Sequence, residues 1–137
     1  MIRKILISLL MAMLLVLACD KEYDRIIPYV PVHFAIDLNI ANDLTVTGNS
    51  MVFPGGYGGV IIYCEVPYEI YYAYDGACTY DYISGCRIGN QGVVGTCSCC
   101  GSEFLLMGGA YPSRGPASFP LQQYHVSVVR NTLQVYN

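Results

Sequence analysis

Apolar residues are unevenly spread along this chain, and their spacing changes several times. From Ile5 to Leu17 they form one almost unbroken run, shorter than the roughly 18 to 20 residues of a membrane-spanning helix and within the roughly 7 to 15 of a signal-peptide core. Further on, Val32, Phe34, Ile36 and Leu38 alternate with polar or small residues, the period of two that marks a half-buried strand. A turn-rich stretch follows, from Asn42-Asp43 and Gly48-Asn49 to Pro54-Gly55-Gly56-Tyr57-Gly58-Gly59, where glycine permits positive φ and close backbone approach. Val60 to Cys64 and Ile70 to Tyr74 are β-rich and joined by a short connection around Pro67, which predicts a hairpin. Tyr124, Val126 and Val128 alternate again, Arg130-Asn131 supplies a turn, and Leu133 and Val135 resume the alternation. No segment after the leader carries helical periodicity. Short strands among 14 glycines and seven prolines predict an all-β antiparallel sandwich or small barrel, one domain over residues 28–137.

Over its 137 residues the chain is 54% hydrophobic and only 12% charged, and the leader holds much of that excess. Arg3 and Lys4 stand before the apolar run as a positive n-region. The run ends in Val16-Leu17-Ala18-Cys19, which resembles a bacterial lipobox. The resemblance implies cleavage after residue 18, diacylglycerol on the Cys19 sulfur and a third acyl chain on its amine. Several acyl chains, at about 0.8 kcal/mol per buried CH₂, make a durable anchor where one would be marginal. Residues 1–18 are then a lipoprotein signal peptide, and residues 19–27 an acylated cysteine with an acidic tether carrying Asp20, Glu22 and Asp24. Loss of Arg3 and Lys4 leaves five basic residues against ten acidic ones, a formal charge of −5. That balance excludes the cationic face a nucleic-acid partner requires. The expected location is the bacterial cell envelope, lipid-anchored to a membrane, the outer one for preference, with the domain in the periplasm or on the cell surface.

Thirteen tyrosines read first as strand residues with amphipathic rings, and Ile70-Tyr71-Tyr72-Ala73-Tyr74 as a strand presenting them on both faces. His33 and His125 fall in alternating strands opposite the apolar face, which predicts surface histidines. No paired carboxylates, activated nucleophile or phosphate loop appears, so a stand-alone enzyme is not expected.

From Gly58 to the C-terminus the chain resembles a Rieske iron–sulfur domain. The resemblance is carried by Gly59-Val60-Ile61-Ile62-Tyr63, Tyr72-Ala73-Tyr74-Asp75-Gly76-Ala77-Cys78-Thr79-Tyr80, Cys97-Ser98-Cys99-Cys100-Gly101-Ser102-Glu103-Phe104 and Gly115-Pro116-Ala117. Leu121, Tyr124, Val126 and Val128 continue the same order. It implies two cysteine-bearing loops at one tip of the fold. In that family Cys-x-His and Cys-x-x-His loops hold a [2Fe–2S] cluster, two cysteines on one iron and two histidines on the other. Cys78 and Cys97 occupy the cysteine positions, whereas Tyr80 and Cys100 stand where the histidines belong. The family's inter-loop disulfide, where present, corresponds to Cys86 and Cys99. Losing imidazole ligands removes the main cause of the raised Rieske potential, about −150 to +300 mV against about −400 mV for all-thiolate clusters of the plant type.

Strand geometry sorts the seven cysteines further. With the hairpin turning near Pro67, Cys64 lies roughly 20 to 25 Å from Cys78 at roughly 3.3 Å per residue, and reads as a small buried thiol rather than a ligand. Five remain at the tip: Cys78, Cys86, Cys97, Cys99 and Cys100. One assignment joins Cys86 to Cys99 and leaves Cys78, Cys97 and Cys100 as soft ligands, with Tyr80 as a fourth donor, for a [2Fe–2S] cluster or a single iron or zinc ion. The other makes two disulfides and one unpaired thiol, with no cofactor, which an oxidising compartment favours. The first expectation is accordingly a cofactor-free, disulfide-stapled scaffold or binding module. The alternative is an envelope electron-transfer protein with a cysteine-ligated centre. Either would meet an envelope protein at the loop tip.

Overall fold

The computed structural model describes residues 25–137, together with Met1 and Ile2. The expected signal peptide (1–18), the Cys19 acylation site and most of the tether (19–27) therefore fall outside the described residues. Within residues 25–137 the secondary structure is ten β-strands and a single turn of 3-10 helix at Asn42–Thr45. No helix of the described residues is long and apolar enough to cross a membrane.

Six strands form one antiparallel sheet in the order β1 (His33–Asp37), β10 (Thr132–Tyr136), β9 (Gln123–Val129), β4 (Ile70–Asp75), β3 (Val60–Val66) and β2 (Ser50–Phe53). The other four make a second antiparallel sheet, β5 (Ile88–Gln91), β6 (Val94–Cys97), β7 (Glu103–Leu105) and β8 (Tyr111–Arg114). The fold is all-β, as the alternation and the turn residues predict. The hairpin β3–β4 is present, with Ile61 opposite Tyr74 and Tyr63 opposite Tyr72. So is the closing hairpin, where Leu133 faces Val128.

An unbroken apolar run at Val60 to Cys64 makes sense only if both faces of the strand are covered, and they are. Val60, Ile62 and Cys64 pack on one side with Leu38, Leu44, Ala73, Leu133 and Val135. Ile61 and Tyr63 pack on the other with Tyr74, Phe104 and Leu106, and with Cys78 and Cys97. The second sheet thus lies against the back of β3–β4 and carries the cysteine loops with it. Cys64 belongs to the first cluster, the far side from Cys78, Cys86 and Cys97, and burial raises its thiol pKa. His33 and His125 are exposed, as expected.

Candidate metal centre

The first cysteine loop leaves β4 at Asp75, whose carboxylate is buried. It accepts hydrogen bonds from the N–H groups of Tyr57 (2.6 Å), Gly58 (2.7 Å) and Ala77 (2.8 Å) and from the Tyr124 hydroxyl (2.5 Å). A buried carboxylate is tolerable only when its lone pairs are met in this way. The bonds pin the glycine-rich loop before β3 to the backbone just ahead of Cys78. Gly58 is required there, because a Cβ would lie 2.0 Å from the Ala77 nitrogen. Cys78 N–H then bonds to the Cys86 carbonyl at 3.0 Å, so both ends of the intervening loop are held.

The second loop connects β6 to β7. Cys97 ends β6, and the turn closes through Gly101 N–H to the Cys97 carbonyl (2.9 Å) and Cys97 N–H to the Ser102 carbonyl (2.8 Å). Gly101 takes φ of +71°, a left-handed value that costs glycine little. Ser102 is fully buried and lies between Cys100 Sγ (3.1 Å) and the Ala117 N–H that its Oγ accepts (3.0 Å). Gly115 makes room for it, since a Cβ there would fall 2.5 Å from the Ser102 Cα.

Cys86 and Cys99 form a disulfide between the two loops, with Cα atoms 5.9 Å apart. Of the two assignments left open by the sequence, the structure has the one with a single disulfide and three tip thiols: Cys78, Cys97 and Cys100 are unpaired. Their Sγ atoms all lie within 4.8 Å of one another, and Cys78 to Cys100 is 3.7 Å. Thiolates bound at about 2.3 Å to one tetrahedral ion sit about 3.8 Å apart. The trio is therefore already close to the spacing a single soft ion demands.

Electrostatics separates the three. Burial pushes the Cys78 thiol up to about 12, helped by its contact with Cys97 and opposed by the backbone N–H groups of Asp81 and Tyr80. Burial also acts against ionisation of Cys100, but the Ser102 hydroxyl and backbone, with the Cys97 and Cys78 thiols, outweigh it and hold that thiol below its ordinary value. Cys100 is half-buried while Cys78 and Cys97 are buried. Of the three thiols it is the most open to solvent and the one whose ionised form is favoured.

Not every sequence-derived candidate joins this arrangement. Tyr80 is 58% exposed, and its backbone N–H bears on the Cys78 thiol only by favouring the ionised form. The two histidines are elsewhere: His33 opens the edge strand β1 and His125 lies near the start of β9. A two-histidine [2Fe–2S] cluster does not fit this donor set. A four-cysteine cluster, with ligands divided between two irons, fits poorly because Cys86 and Cys99 are consumed by each other. The roles of Asp75 and Ser102 were not foreseen. The available signals were a lone acid closing the apolar strand Ile70–Asp75, and a small hydroxyl residue two places after a cysteine.

No protein-family model and no curated protein matches the chain. Among solved structures it is similar to the ferredoxin of carbazole 1,9a-dioxygenase from Nocardioides aromaticivorans IC177, with 19% identity over 78% of this chain and 97% of that one, TM-score 0.49. It is also similar to the Sphingomonas yanoikuyae B1 ferredoxin, with 12% identity over 67% of this chain and 88% of that one, TM-score 0.45.

Proposed function

We propose that this chain is a Rieske-like envelope lipoprotein, anchored through lipid on Cys19, in which Cys78, Cys97 and Cys100 hold one soft metal ion. The observation that carries the reading is the convergence of three thiols within 4.8 Å while the other two tip cysteines are bonded to each other. Iron is the metal that the resemblance to the Rieske family favours, and it would make the domain a one-electron carrier serving a partner protein at the loop tip. The chain's own residues set the terms. Asp75 fixes the first loop, Gly101 and Ser102 fix the second, the disulfide holds the loops together, and burial of Cys78 and Cys97 excludes water from two of three ligands. The outer membrane is the proposed anchoring site, with the domain in the periplasm or on the cell surface.

Purification without air, followed by metal analysis, tests this reading. One iron per chain is expected in the full-length protein, with loss of most of it in Cys97→Ser. Stoichiometric zinc would keep the site and remove the electron-carrier role. A metal-free sample in which Cys78 is joined to Cys100 would instead support the cofactor-free scaffold, a reading favoured by their 3.7 Å separation in an oxidising compartment.

A further inference from the structure

A cleft of about 470 Å³ opens on the flank of the cysteine loops, and its lining includes Arg25, Thr79, Tyr111, Phe119 and His125. Thr79 follows Cys78 directly and donates to the Phe119 carbonyl at 2.8 Å, which ties this wall to the first cysteine loop. Two large side chains of the lining remain in solvent, Phe119 at 57% exposure and Tyr111 at 63%, and Met107, which precedes the lining residue Gly108, is 48% exposed. Aromatic residues of this kind are the ones found at membrane–water interfaces.

Arg25 decides which surface can meet this patch. It forms part of the cleft wall, so the chain enters the domain at this face, and Arg25 lies only six positions after Cys19. Fully extended, that stretch spans about 20 Å, whereas a domain of this size is about 35 Å across. Such a tether brings the opposite end of the sheet to the bilayer only when drawn out along the domain to its full length, whereas the face at Arg25 meets the bilayer at any extension. The opposite end carries exposed apolar residues too, with Ile40 at 79% and Tyr68 at 45%. Leu38 N–H bonds to the Asn131 carbonyl in the β9–β10 turn, which places Ile40 there. His125 lies at the other end of β9, about 20 Å away by strand rise. The domain therefore offers two apolar ends, and the entry of the tether at Arg25 puts the cleft end nearest the anchor.

We infer that the face bearing Phe119, Tyr111 and Met107 is a lipid-contacting surface that rests on the bilayer holding the Cys19 acyl chains. The inference rests on the lipoprotein reading and adds an orientation to it: the flank of the cysteine loops is turned toward the membrane. A partner would then reach the tip at the membrane surface.

The chain contains no tryptophan, so each of Phe119→Trp, Tyr111→Trp and Ile40→Trp gives a single reporter in the full-length protein. Each variant is produced in a bacterium that processes lipoproteins. It is then reconstituted into phosphatidylethanolamine–phosphatidylglycerol vesicles with or without lipid brominated on its acyl chains. The two cleft reporters are expected to lose roughly half of their emission to the brominated lipid and Ile40→Trp less than about a tenth, as interfacial burial of a few ångströms requires. Unquenched emission at both cleft positions, or equal quenching at Ile40→Trp, overturns the inference if mass spectrometry shows acyl chains on Cys19. Absence of acyl chains with no vesicle association overturns the lipoprotein reading and the orientation together, so the acyl mass tells the two failures apart. Two independent cleft reporters guard against one substitution disturbing the fold.

Discussion

Ile61 and Ile62 are neighbours on β3, yet they face two differently built halves of the molecule. Ile62 looks into a core lined by Leu38, Leu44, Leu133 and Val135, a packing of aliphatic side chains between long strands. Ile61 looks toward a short-stranded sheet whose interior includes three cysteines, Phe104 and Leu106, and whose loops are held by a disulfide, a buried carboxylate and a buried serine. Stability on the first side comes from apolar area removed from water. On the second, much of it comes from a covalent bond and a few well-placed polar groups. The difference matches the tasks: a smooth aliphatic core makes a rigid base, whereas a tip that presents thiols cannot be sealed by hydrocarbon alone.

The largest effect should come from the aliphatic side. Ile62→Ala removes a fully buried side chain among neighbours that cannot collapse around it, at a cost of about 4 kcal/mol. Urea denaturation would show a large drop in midpoint, while the folded fraction keeps its metal stoichiometry. A variant that stayed stable but lost metal would break the separation between the two halves. Next comes the staple: replacing Cys86 and Cys99 together by serine should cost about 3 kcal/mol, the value expected for a loop of this length. It should also weaken metal retention, since the disulfide holds the two ligand loops in register. Equal loss of stability with unchanged metal content would show that the loops do not need the cross-link to form the site.

How far the two halves were legible in the sequence follows the same line. Strands β1, β3, β4, β9 and β10 announce themselves because their buried positions are filled by Val, Ile, Leu and Tyr. The second sheet does not. Ile88-Gly89-Asn90-Gln91 and Val94-Gly95-Thr96-Cys97 lack an apolar alternation, and Gly95 is there for steric reasons: a Cβ on it would come within 2.6 Å of the Ile88 side chain. Strand β8 contains Pro112 and lies at the sheet edge, the position where a strand tolerates proline. The small residues here serve close packing and leave no periodic apolar pattern to read. The gathering of the tip cysteines was legible in the sequence, and their pairing only through the resemblance. The resemblance points to Cys86 and Cys99, while spacing alone left two assignments open, and the two groups that orient the loops, Asp75 and Ser102, needed the fold to be seen.

A smaller effect, shared by both halves, should appear at alkaline pH. Tyr124 on the first side and Tyr74 on the second are buried phenols, each held protonated chiefly by desolvation, with Asp75 adding to the effect on Tyr124. In the unfolded chain both ionise near pH 10. The native state then binds more of these phenol protons than the unfolded one, so the part of the stability that the two tyrosines contribute is constant below about pH 10 and falls as pH rises beyond it. Thermal melts across pH 8 to 11 should show this decline, and ultraviolet absorbance should show part of the tyrosine ionisation delayed until unfolding. A flat profile would mean that water reaches these hydroxyls. Tyr74→Phe should remove its share of the slope and leave two partners, the Leu106 carbonyl and Gly109 N–H, to be met otherwise.

The smallest effect should come from the residue that the sequence resemblance makes most conspicuous. By that resemblance to a Rieske domain Tyr80 takes the place of the first histidine, which invites reading it as a ligand. Its residue is 58% exposed, and the group of it that bears on Cys78 is the backbone N–H, which favours ionisation of that thiol and which any residue except proline supplies. Tyr80→Phe keeps that N–H and the ring while deleting the phenol oxygen. Metal content per chain should stay within about twofold of the parent, and stability within about 0.5 kcal/mol, the usual range for an exposed substitution. Tyr80→Pro, which removes the N–H donor as well, should destabilise metal binding far more than the phenylalanine does. If the ordering were reversed, with the phenol essential and the backbone donor dispensable, the centre would have a fourth protein ligand and the three-thiol description would fail.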